Sequence, residues 1–514
     1  MTGAHCLLES LAASSIRLCF MNPGTSEMQF VSELDRVHGV RGVLCLHETV
    51  CAGAADGYAR ITRRPAATLL HLGPGLANAL SNFHNARKAR SPIVNIVGEH
   101  STRHLAYDAP LTANIEALAA TVSGFTATAS TPASLGPLTA KCIAAALAPP
   151  GQVATLIVPA DISWLDGASI APPLPHTPRT VPDESVIAQA RQWLSDGSPC
   201  GIILSGRALL EDSLAAAARI TAATGARIFA NRYAARLPRG LGGFNPTRLP
   251  YFPEPAEAAL AGLHRIILVE AAEPVSFFGY PNRRSTLAPP ACQFMTLASE
   301  TEDSLPALIQ LASLLPQADP LPSSELRPTL PSGGPLSPDS IGRTLAALLP
   351  DNSIVSDEMI SSGEAVNGWL LRAARHQLLP VTGGSIGQGL PVAVGAALAS
   401  PGSKVLALQA DGSGMYSLQA LWTMARENLN ILTVIFANRR YRILDVEMER
   451  TGAATVGPLA GRMLDLADPD LDWVSLARGH GVDAVRVSSL PQFIACAATA
   501  LNRRGPFLIE AVLD

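Results

Sequence analysis

Short, continuous apolar runs recur along this 514-residue chain and are separated by longer stretches in which apolar and polar residues mix. Examples are IRLCFM at 16–21, RIILVEA at 265–271 and ILTVIFA at 431–437. Runs like these are typical of parallel strands whose two faces are both covered by helices. We therefore predict an α/β fold of doubly wound domains with mainly parallel sheets.

Two proline-rich stretches divide the chain into parts of domain size. They lie at 171–182 and 314–340, and such segments act as semi-rigid linkers. A single hydrophobic core rarely serves a chain of this length. We predict three domains, called here the first segment (1–170), the middle segment (183–315) and the third segment (336–514).

Charge and composition exclude several classes of function. The formal net charge is −4 and no cluster of Lys and Arg occurs, which argues against nucleic-acid binding. No apolar run is long enough for a membrane span, and the N-terminus does not resemble a signal peptide. The eight cysteines include no C-x-x-C pair, which favours free thiols in a reducing compartment. We expect a cytoplasmic protein that binds neither nucleic acid nor membranes.

Polar side chains directly follow several of the expected strands. Ligands of open parallel sheets bind beyond the carboxyl ends of the strands, so these positions are candidates for function. Asn22, Glu48 and His71 occupy such positions in the first segment, and Asp411 and Asn438 do so in the third. Glu48 stands out because an acid among small and apolar residues is rarely kept there without a role.

Asp411 and Asn438 together indicate a metal site. A Gly-rich turn, a helix and a strand separate them, so the two residues should follow neighbouring strands. Both offer oxygen, the ligand that Mg²⁺ prefers, and Mg²⁺ commonly shares its shell with phosphate. Ser413 and the backbone amides beside it could hold that phosphate. The alternative is structural, with Asp411 capping the helix and Asn438 forming a turn.

The chain resembles the thiamine diphosphate (ThDP) enzymes. Their diphosphate–metal motif reads GDGS and then NN, similar to ADGS and AN here, with Ala410 and Ala437 as departures. Further motifs resemble the acetolactate synthase and benzoylformate decarboxylase group: NPGTSE at 22–27, LHETVCAGAADGYAR at 46–60, HLGPGLANAL at 71–80 and GGSIGQGLP at 383–391. The resemblance spans all three segments and implies pyrimidine-binding, central and diphosphate-binding domains.

The resemblance also assigns residues to the cofactor. Mg²⁺ would be held by Asp411, Asn438 and the backbone carbonyl of Arg440, and Arg439 replaces the usual glycine, so the geometry of that loop is an open question. The other cofactor contacts implied are Gly384, Ile386, Ser361, Ser362, Gly412, Ser413 and Tyr441. Ile386 could instead be ordinary core, and Tyr441 could be ordinary packing.

Three residues resemble catalytic groups. Glu48 matches the glutamate that shares a proton with the aminopyrimidine ring of ThDP, unless it pairs with an arginine or a backbone amide. His71 matches the proton-transferring histidine of benzoylformate decarboxylases, and Thr25 matches their substrate-contacting serine. His71 could alternatively cap the next turn, and a structural role for His47 is equally plausible.

The substrate pocket is expected to include Phe278 and Ile443, and Phe277 and Tyr280 could line it as well. The second catalytic histidine of benzoylformate decarboxylases has no counterpart in the comparable stretch 273–285. Ile443 stands where those enzymes carry a smaller residue, which favours aliphatic over aryl 2-oxo acids. Acetolactate synthases use the central domain for FAD, but the middle segment has no G-x-G-x-x-G motif and FAD is not favoured.

These features predict a ThDP- and Mg²⁺-dependent enzyme that decarboxylates a small-molecule 2-oxo acid without oxidation. Carboligation of the acetolactate synthase type is one alternative, and a cofactor-binding relative without catalysis is another. The resemblance also implies a homodimer or homotetramer. In it, Glu48 of one subunit would face Asp411 and Asn438 of another.

Overall fold

The computed structural model describes residues 1–318, 326–453 and 456–513, which form three mainly parallel sheets covered by helices. The predicted α/β class is confirmed. The linker at 171–182 is irregular, and the linker at 314–340 lies partly outside the described residues. Among the described residues, no helix is both long enough and apolar enough to cross a membrane.

The first segment contains a six-stranded parallel sheet. Its strands are β1 (Leu18–Asn22), β2 (Arg41–Leu44), β3 (Ala66–Leu70), β4 (Ile93–Glu99), β5 (Phe125–Thr128) and β6 (Val153–Pro159), in the order β2-β1-β3-β4-β6-β5. Every residue of β3, β4 and β6 is buried, as expected for strands with helices on both faces. The helices are α1 (Gly3–Ala13), α2 (Met28–Glu33), α3 (Glu48–Thr62), α4 (Leu72–Lys88), α5 (Ile115–Ala120), α6 (Pro132–Leu147) and α7 (Ala160–Trp164).

The middle segment contributes strands to two sheets. Its strands are β7 (Cys200–Leu204), β8 (Arg227–Ala230), β9 (Leu237–Arg239), β10 (Thr247–Arg248), β11 (Arg265–Val269) and β12 (Gln293–Ala298). Five of them form a parallel sheet in the order β10-β8-β7-β11-β12, whereas β9 leaves to join the third sheet. The helices are α8 (Glu184–Ser195), α9 (Glu211–Thr224), α10 (Pro253–Leu260) and α11 (Ser304–Ser313).

The third segment forms a seven-stranded sheet together with β9. Its own strands are β13 (Ser353–Glu358), β14 (His376–Pro380), β15 (Val405–Ala410), β16 (Ile431–Ala437), β17 (Asp483–Val487) and β18 (Phe507–Val512). The order is β17-β18-β16-β15-β13-β14-β9, and only the β14–β9 pair is antiparallel among the described strands of this sheet. The helices are α12 (Pro338–Leu348), α13 (Gly363–Leu370), α14 (Gly389–Ala399), α15 (Asp411–Gly414), α16 (Ala420–Arg426), α17 (Arg442–Thr451), α18 (Pro458–Arg462), α19 (Trp473–Gly479) and α20 (Leu490–Asn502).

Helices α3 and α14 join the first and third segments through glycines. A Cβ atom at Gly57 would lie 2.2 Å from the carbonyl oxygen of Val392, and one at Gly395 would lie 1.9 Å from that of Ala54. Larger side chains at either position would force the two backbones apart. The close packing fixes the start of α3, which carries Glu48, relative to the loop that precedes α14.

Candidate active site

Glu48 begins α3, shortly after the end of β2. Its side chain is buried, and Asn78 Nδ2 donates a hydrogen bond to its Oε2 at 3.0 Å. A Cβ atom at Gly75 would lie 3.3 Å from Oε1, so glycine leaves room beside the carboxylate. This partner is a neutral amide rather than an arginine. The neighbouring His47 caps the helix, because its Nδ1 accepts a hydrogen bond from Thr49 N at 3.1 Å, and this is the structural role considered for it.

His71 and Glu27 form a pair at the carboxyl edge of the first sheet. His71 Nδ1 lies 2.9 Å from Glu27 Oε2, which also accepts a hydrogen bond from Gly24 N at 2.8 Å. Glu27 is fully buried, and burial raises the pKa of its carboxyl group although the neighbouring His71 opposes the shift. The imidazole does not cap α4, so the capping role considered for it is not observed. Thr25 opens the short 3₁₀ turn that ends at Glu27, and its side chain is exposed.

Asp411 and Asn438 lie at the ends of the neighbouring strands β15 and β16, as the sequence predicted. Asp411 Oδ1 accepts a hydrogen bond from Gly412 N at 2.9 Å, and Oδ2 accepts one from Arg439 N at 2.6 Å. Asn438 Oδ1 accepts a hydrogen bond from Arg440 N at 3.1 Å. Backbone amides from α15 and from the loop after β16 therefore fix the carboxylate and arrange both oxygen groups on one edge of the sheet.

Arg439 settles the open question about the loop after β16. Its φ is 56°, in the left-handed region that glycine adopts freely and that costs other residues about 1 kcal/mol. Its Nε lies 3.2 Å from Asp470 Oδ1, and its carbonyl accepts a hydrogen bond from Leu466 N at 2.8 Å. The arginine thus keeps the glycine-like conformation, and its own N–H still reaches Asp411.

The donor set at this edge fits a magnesium ion and a diphosphate. Asp411 is buried, and burial raises the pKa of its carboxyl group because the charged form has lost solvent. A divalent cation would favour the charged form, and the carboxylate and amide oxygens are hard ligands of the kind that Mg²⁺ requires. The predicted third ligand, the Arg440 carbonyl, accepts a hydrogen bond from Arg442 N at 2.8 Å in the protein alone. Its role remains a prediction.

Ser413 takes part in a buried network centred on Glu358. The Ser413 hydroxyl accepts a hydrogen bond from Gln409 Nε2 at 2.6 Å and is itself buried. Glu358, at the end of β13, accepts hydrogen bonds from Gly387 N at 2.6 Å and from Gly389 N. Burial raises the pKa of Glu358 to about 7 despite these bonds. The Ser413 hydroxyl, which the sequence analysis assigned to phosphate, therefore belongs to the hydrogen-bond network that supports the GGSIGQG loop.

The GGSIGQG loop carries the predicted contacts Gly384 and Ile386. Gly384 is exposed with φ 79°, and Ile386 is partly buried. Asn85 Nδ2 donates a hydrogen bond to the Ser385 carbonyl at 2.7 Å, and Asn82 Nδ2, also on α4, donates one to the Gly387 carbonyl. The first segment therefore holds the loop in place. An exposed glycine backbone beside it is compatible with a close approach of the ThDP ring.

An aromatic cluster from the middle segment covers the same loop. A Cβ atom at Gly384 would lie 2.5 Å from Phe277 Cζ, so this ring rests on the glycine. Phe278 packs edge to face on Phe277 with centroids 4.6 Å apart and is half exposed. Tyr280 donates a hydrogen bond from its hydroxyl to Glu447 Oε1 at 3.0 Å. Phe277 and Phe278 were both candidates for the pocket lining, and of these two rings Phe277 makes the direct contact with the loop.

The remaining predicted residues lie around the third-segment edge. Ser361 is exposed and Ser362 is buried, both in the turn that follows β13. A Cβ atom at Gly412 would lie 2.5 Å from Tyr441 Cε1, so that ring packs on the diphosphate motif itself. Ile443 is partly buried in α17. These placements are compatible with cofactor and substrate contacts, which remain predictions.

Four acids near these sites were not identified from the sequence as functional. Glu27, Glu99 and Glu358 follow or end strands of the first and third sheets, and the strand-end rule could have found the last two. Burial raises the pKa of Glu99, which ends β4. Asp56 forms a fully buried ion pair with Arg60, four residues later on α3. Helical i,i+4 spacing was the available signal for that pair.

Comparisons with known proteins agree with this geometry. Two thiamine pyrophosphate enzyme models match the chain, the N-terminal TPP binding domain at residues 1–120 and the C-terminal TPP binding domain at residues 363–511. A protein of Mycobacterium tuberculosis named "Putative acetolactate synthase large subunit IlvX" is 44% identical over 515 residues, covering 100% of this chain and 99% of that protein. The benzoylformate decarboxylase of Pseudomonas aeruginosa is 27% identical over 546 residues, covering 98% and 97%.

Solved structures share the fold over the whole length. The ThDP-dependent 4-hydroxybenzoylformate decarboxylase of Rhodococcus jostii RHA1 superimposes with a TM-score of 0.86 at 24% identity, covering 100% of both chains. Benzoylformate decarboxylase from Polynucleobacter necessarius gives 0.86 at 22% identity, covering 99% of this chain and 98% of that one. The resemblance is confirmed: the chain belongs to the thiamine diphosphate-dependent enzymes, with relatives among both acetolactate synthase-like proteins and benzoylformate decarboxylases.

Proposed function

We propose that this enzyme decarboxylates a 2-oxo acid without oxidation and releases an aldehyde, with ThDP and Mg²⁺ bound. The observation that carries the proposal is the His71–Glu27 pair beside Thr25 at the carboxyl edge of the first sheet. Release of an aldehyde requires a proton at the carbon that has lost CO₂. A histidine oriented by a buried carboxylate is suited to deliver it.

The chain offers groups for each part of the cofactor. Asp411 and Asn438 would hold Mg²⁺ and the diphosphate, and the Gly384 carbonyl would hold the aminopyrimidine ring together with Glu48 of the partner subunit in the proposed oligomer. When bound, ThDP supplies the nucleophilic carbon and accepts the electron pair released with CO₂. The buried Glu48, with a neutral amide as its partner, is placed to hold or give up a proton at the pyrimidine.

Three side chains would then act on the substrate. Glu27 Oε2 accepts a hydrogen bond from His71 Nδ1 when the acid is ionised, which leaves His71 Nε2 to give and take the proton. The Thr25 hydroxyl could donate a hydrogen bond to the substrate carboxylate. Aromatic side chains led by Phe277 would shield the site from water.

Product analysis tests this proposal. We expect wild-type protein with ThDP and Mg²⁺ to release CO₂ and aldehyde from one or more members of a 2-oxo acid panel. His71→Ala should lose aldehyde formation by about 100-fold, the typical contribution of general acid–base catalysis, and should still bind ThDP. Wild-type aldehyde yields from His71→Ala would contradict the proposed role of the pair.

Carboligation is the second candidate, and the 44% identical relative named as a putative acetolactate synthase favours it. The same panel separates the two reactions, because carboligation yields an acyloin or a 2-hydroxy-3-oxo acid in place of the aldehyde. A chain that binds ThDP in calorimetry without any CO₂ release would instead be a cofactor-binding relative without catalysis. Light scattering on the holoenzyme tests the proposed homodimer or homotetramer.

A further inference from the structure

A polar cavity lies at the edge of the third sheet opposite the proposed cofactor site. It has a volume of about 330 Å³, and all three segments line it, with Ile61 from the first, Glu211, Arg236 and Arg239 from the middle, and Arg375 and His376 from the third. His376 is the first residue of β14, so the cavity opens at the amino edge of the sheet. Asp411 and Asn438 follow the opposite, carboxyl edge. The two sites are therefore distinct.

Positive charge exceeds negative charge around this cavity. Arg239 is buried, its Nη1 donates a hydrogen bond to the Pro246 carbonyl at 2.8 Å, and desolvation lowers its pKa to about 10. Arg236 Nη2 lies 3.9 Å from Glu211, the one acid among the lining residues described. Arg375 is exposed, and its guanidinium makes no hydrogen bond to any described residue. Three guanidinium groups and one carboxylate therefore line the cavity, and this excess of positive charge suits an added anion.

His376 adds a buried acceptor to these donors. Its Nδ1 lies 2.9 Å from the Ala374 carbonyl, which only accepts, so Nδ1 carries the hydrogen. Its Nε2 has no hydrogen-bond partner among the described residues, and the side chain is almost completely buried. Burial also lowers the pKa of His376 to about 4, which keeps the ring neutral near pH 7. The free lone pair on Nε2 calls for a ligand hydroxyl or amide that can donate.

We propose that this cavity binds a small hydroxylated oxyanion, with Arg375 and Arg239 contacting its anionic group and His376 Nε2 accepting from its hydroxyl. The volume falls at the small end of the range for small-molecule sites. A phosphate ester and a carboxylate share the required chemistry. Because the lining comes from three segments, the occupant would hold them together and stabilise the folded chain. The proposal goes beyond the decarboxylase function and does not depend on it.

Titration calorimetry on the ThDP- and Mg²⁺-saturated protein tests the site. Glycerol 3-phosphate and glycerate serve as separate probes, and saturable binding of either is expected, with the tighter one identifying the anionic group. Arg375→Gln should weaken that binding by about tenfold, the scale of one charge-assisted hydrogen bond. Arg219→Gln, an exposed change of equal charge on α9, should leave it unchanged.

Three further comparisons decide the proposal. Propyl phosphate lacks the hydroxyl, so weaker binding than glycerol 3-phosphate supports the role of His376, and equal binding of the two esters overturns it. Absence of saturable binding for both glycerol 3-phosphate and glycerate overturns the site itself. So does an equal effect of Arg375→Gln and Arg219→Gln, because both variants remove an exposed charge and should keep the fold.

Discussion

The carboxyl edges of the first and third sheets both carry buried acids, but the acids have different partners. In the first sheet Glu27 faces the imidazole of His71, and Glu48 faces the side-chain amide of Asn78. In the third sheet Asp411 is held by backbone N–H groups. The imidazole of His71 can take up and release a proton, whereas neutral amides, whether of Asn78 or of the backbone, only donate a hydrogen bond. The comparison leads us to predict that the first-sheet edge moves a proton through His71 and that Asp411 on the third-sheet edge holds a cation.

Removal of the Asp411 carboxylate is the strongest test of the cation site predicted at the third sheet. We expect Asp411→Ala to abolish Mg²⁺-dependent binding of ThDP, because the variant leaves the cation without a charged ligand from the protein. Calorimetric titration with ThDP at several Mg²⁺ concentrations measures the loss. Asp351→Ala, which removes an exposed acid from the same segment, is the matched control. Unchanged affinity in Asp411→Ala would remove the metal assignment.

Neutralising Glu48 tests the first-sheet side. Glu48→Gln keeps the size and the contact with Asn78 but cannot hold a titratable proton, so we expect turnover to fall by about 100-fold or more. ThDP binding and the melting temperature should stay close to wild type. The exposed Glu184→Gln is the control for a change of charge alone. Turnover near the wild-type rate would show that this edge does not move the essential proton.

Glu358 sharpens the comparison, because it is an acid of the third segment whose pKa is raised from 4.5 to about 7. The unfolded state loses its proton first, so the stability that protonated Glu358 contributes is full below about pH 4.5. It is lost as pH rises through about 7. Glu358→Gln should lack this fall in unfolding free energy, roughly 3 kcal/mol at most.

Urea unfolding from pH 4.5 to 8 measures the difference between Glu358→Gln and wild type. The exposed Glu184→Gln should follow the wild-type curve across the same range. Parallel curves for Glu358→Gln and wild type would mean that Glu358 is charged in the folded protein throughout. The acid would then belong with Asp411 as a fixed charge.

The smallest expected effect separates two adjacent aromatic residues. Phe277 rests on Gly384, whereas Phe278 is half exposed. We expect Phe277→Ala to raise KM for the best 2-oxo acid by about tenfold, the scale of one buried aromatic contact, and Phe278→Ala to change it by less than about twofold. A larger rise in KM for Phe278→Ala than for Phe277→Ala would mean that the substrate contacts Phe278 rather than Phe277.

Much of the site could be predicted because the signals are local. Apolar runs place the strands, and the residue after each run falls at the sheet edge regardless of what packs around it. The adjacency of Asp411 and Asn438 followed from a single strand–helix–strand unit, whose handedness and short connections leave few arrangements. Glu48 was identified because an acid in apolar surroundings needs a reason.

The missing parts depend on contacts between distant segments. Glu27 lies 44 residues from His71, and no periodicity links them. Gln409, on the preceding strand, donates a hydrogen bond to the Ser413 hydroxyl, a contact that the sequence did not predict, and the phosphate-binding role of Ser413 stays a prediction. The choice between Phe277 and Phe278 depends on which ring of one loop meets Gly384, about a hundred residues away along the chain.

The sequence by itself determined the fold class, the family and the edges of the sheets where chemistry should occur, because strand burial and motif spacing are properties of short stretches. Only the tertiary structure decided the partners of the acids, the side chain that covers the GGSIGQG loop and the cavity among three segments. The physical reason is that hydrogen bonding and burial are set by whichever remote surfaces pack together. The pKa of a buried acid therefore depends on the remote surfaces that pack around it rather than on its neighbours in sequence.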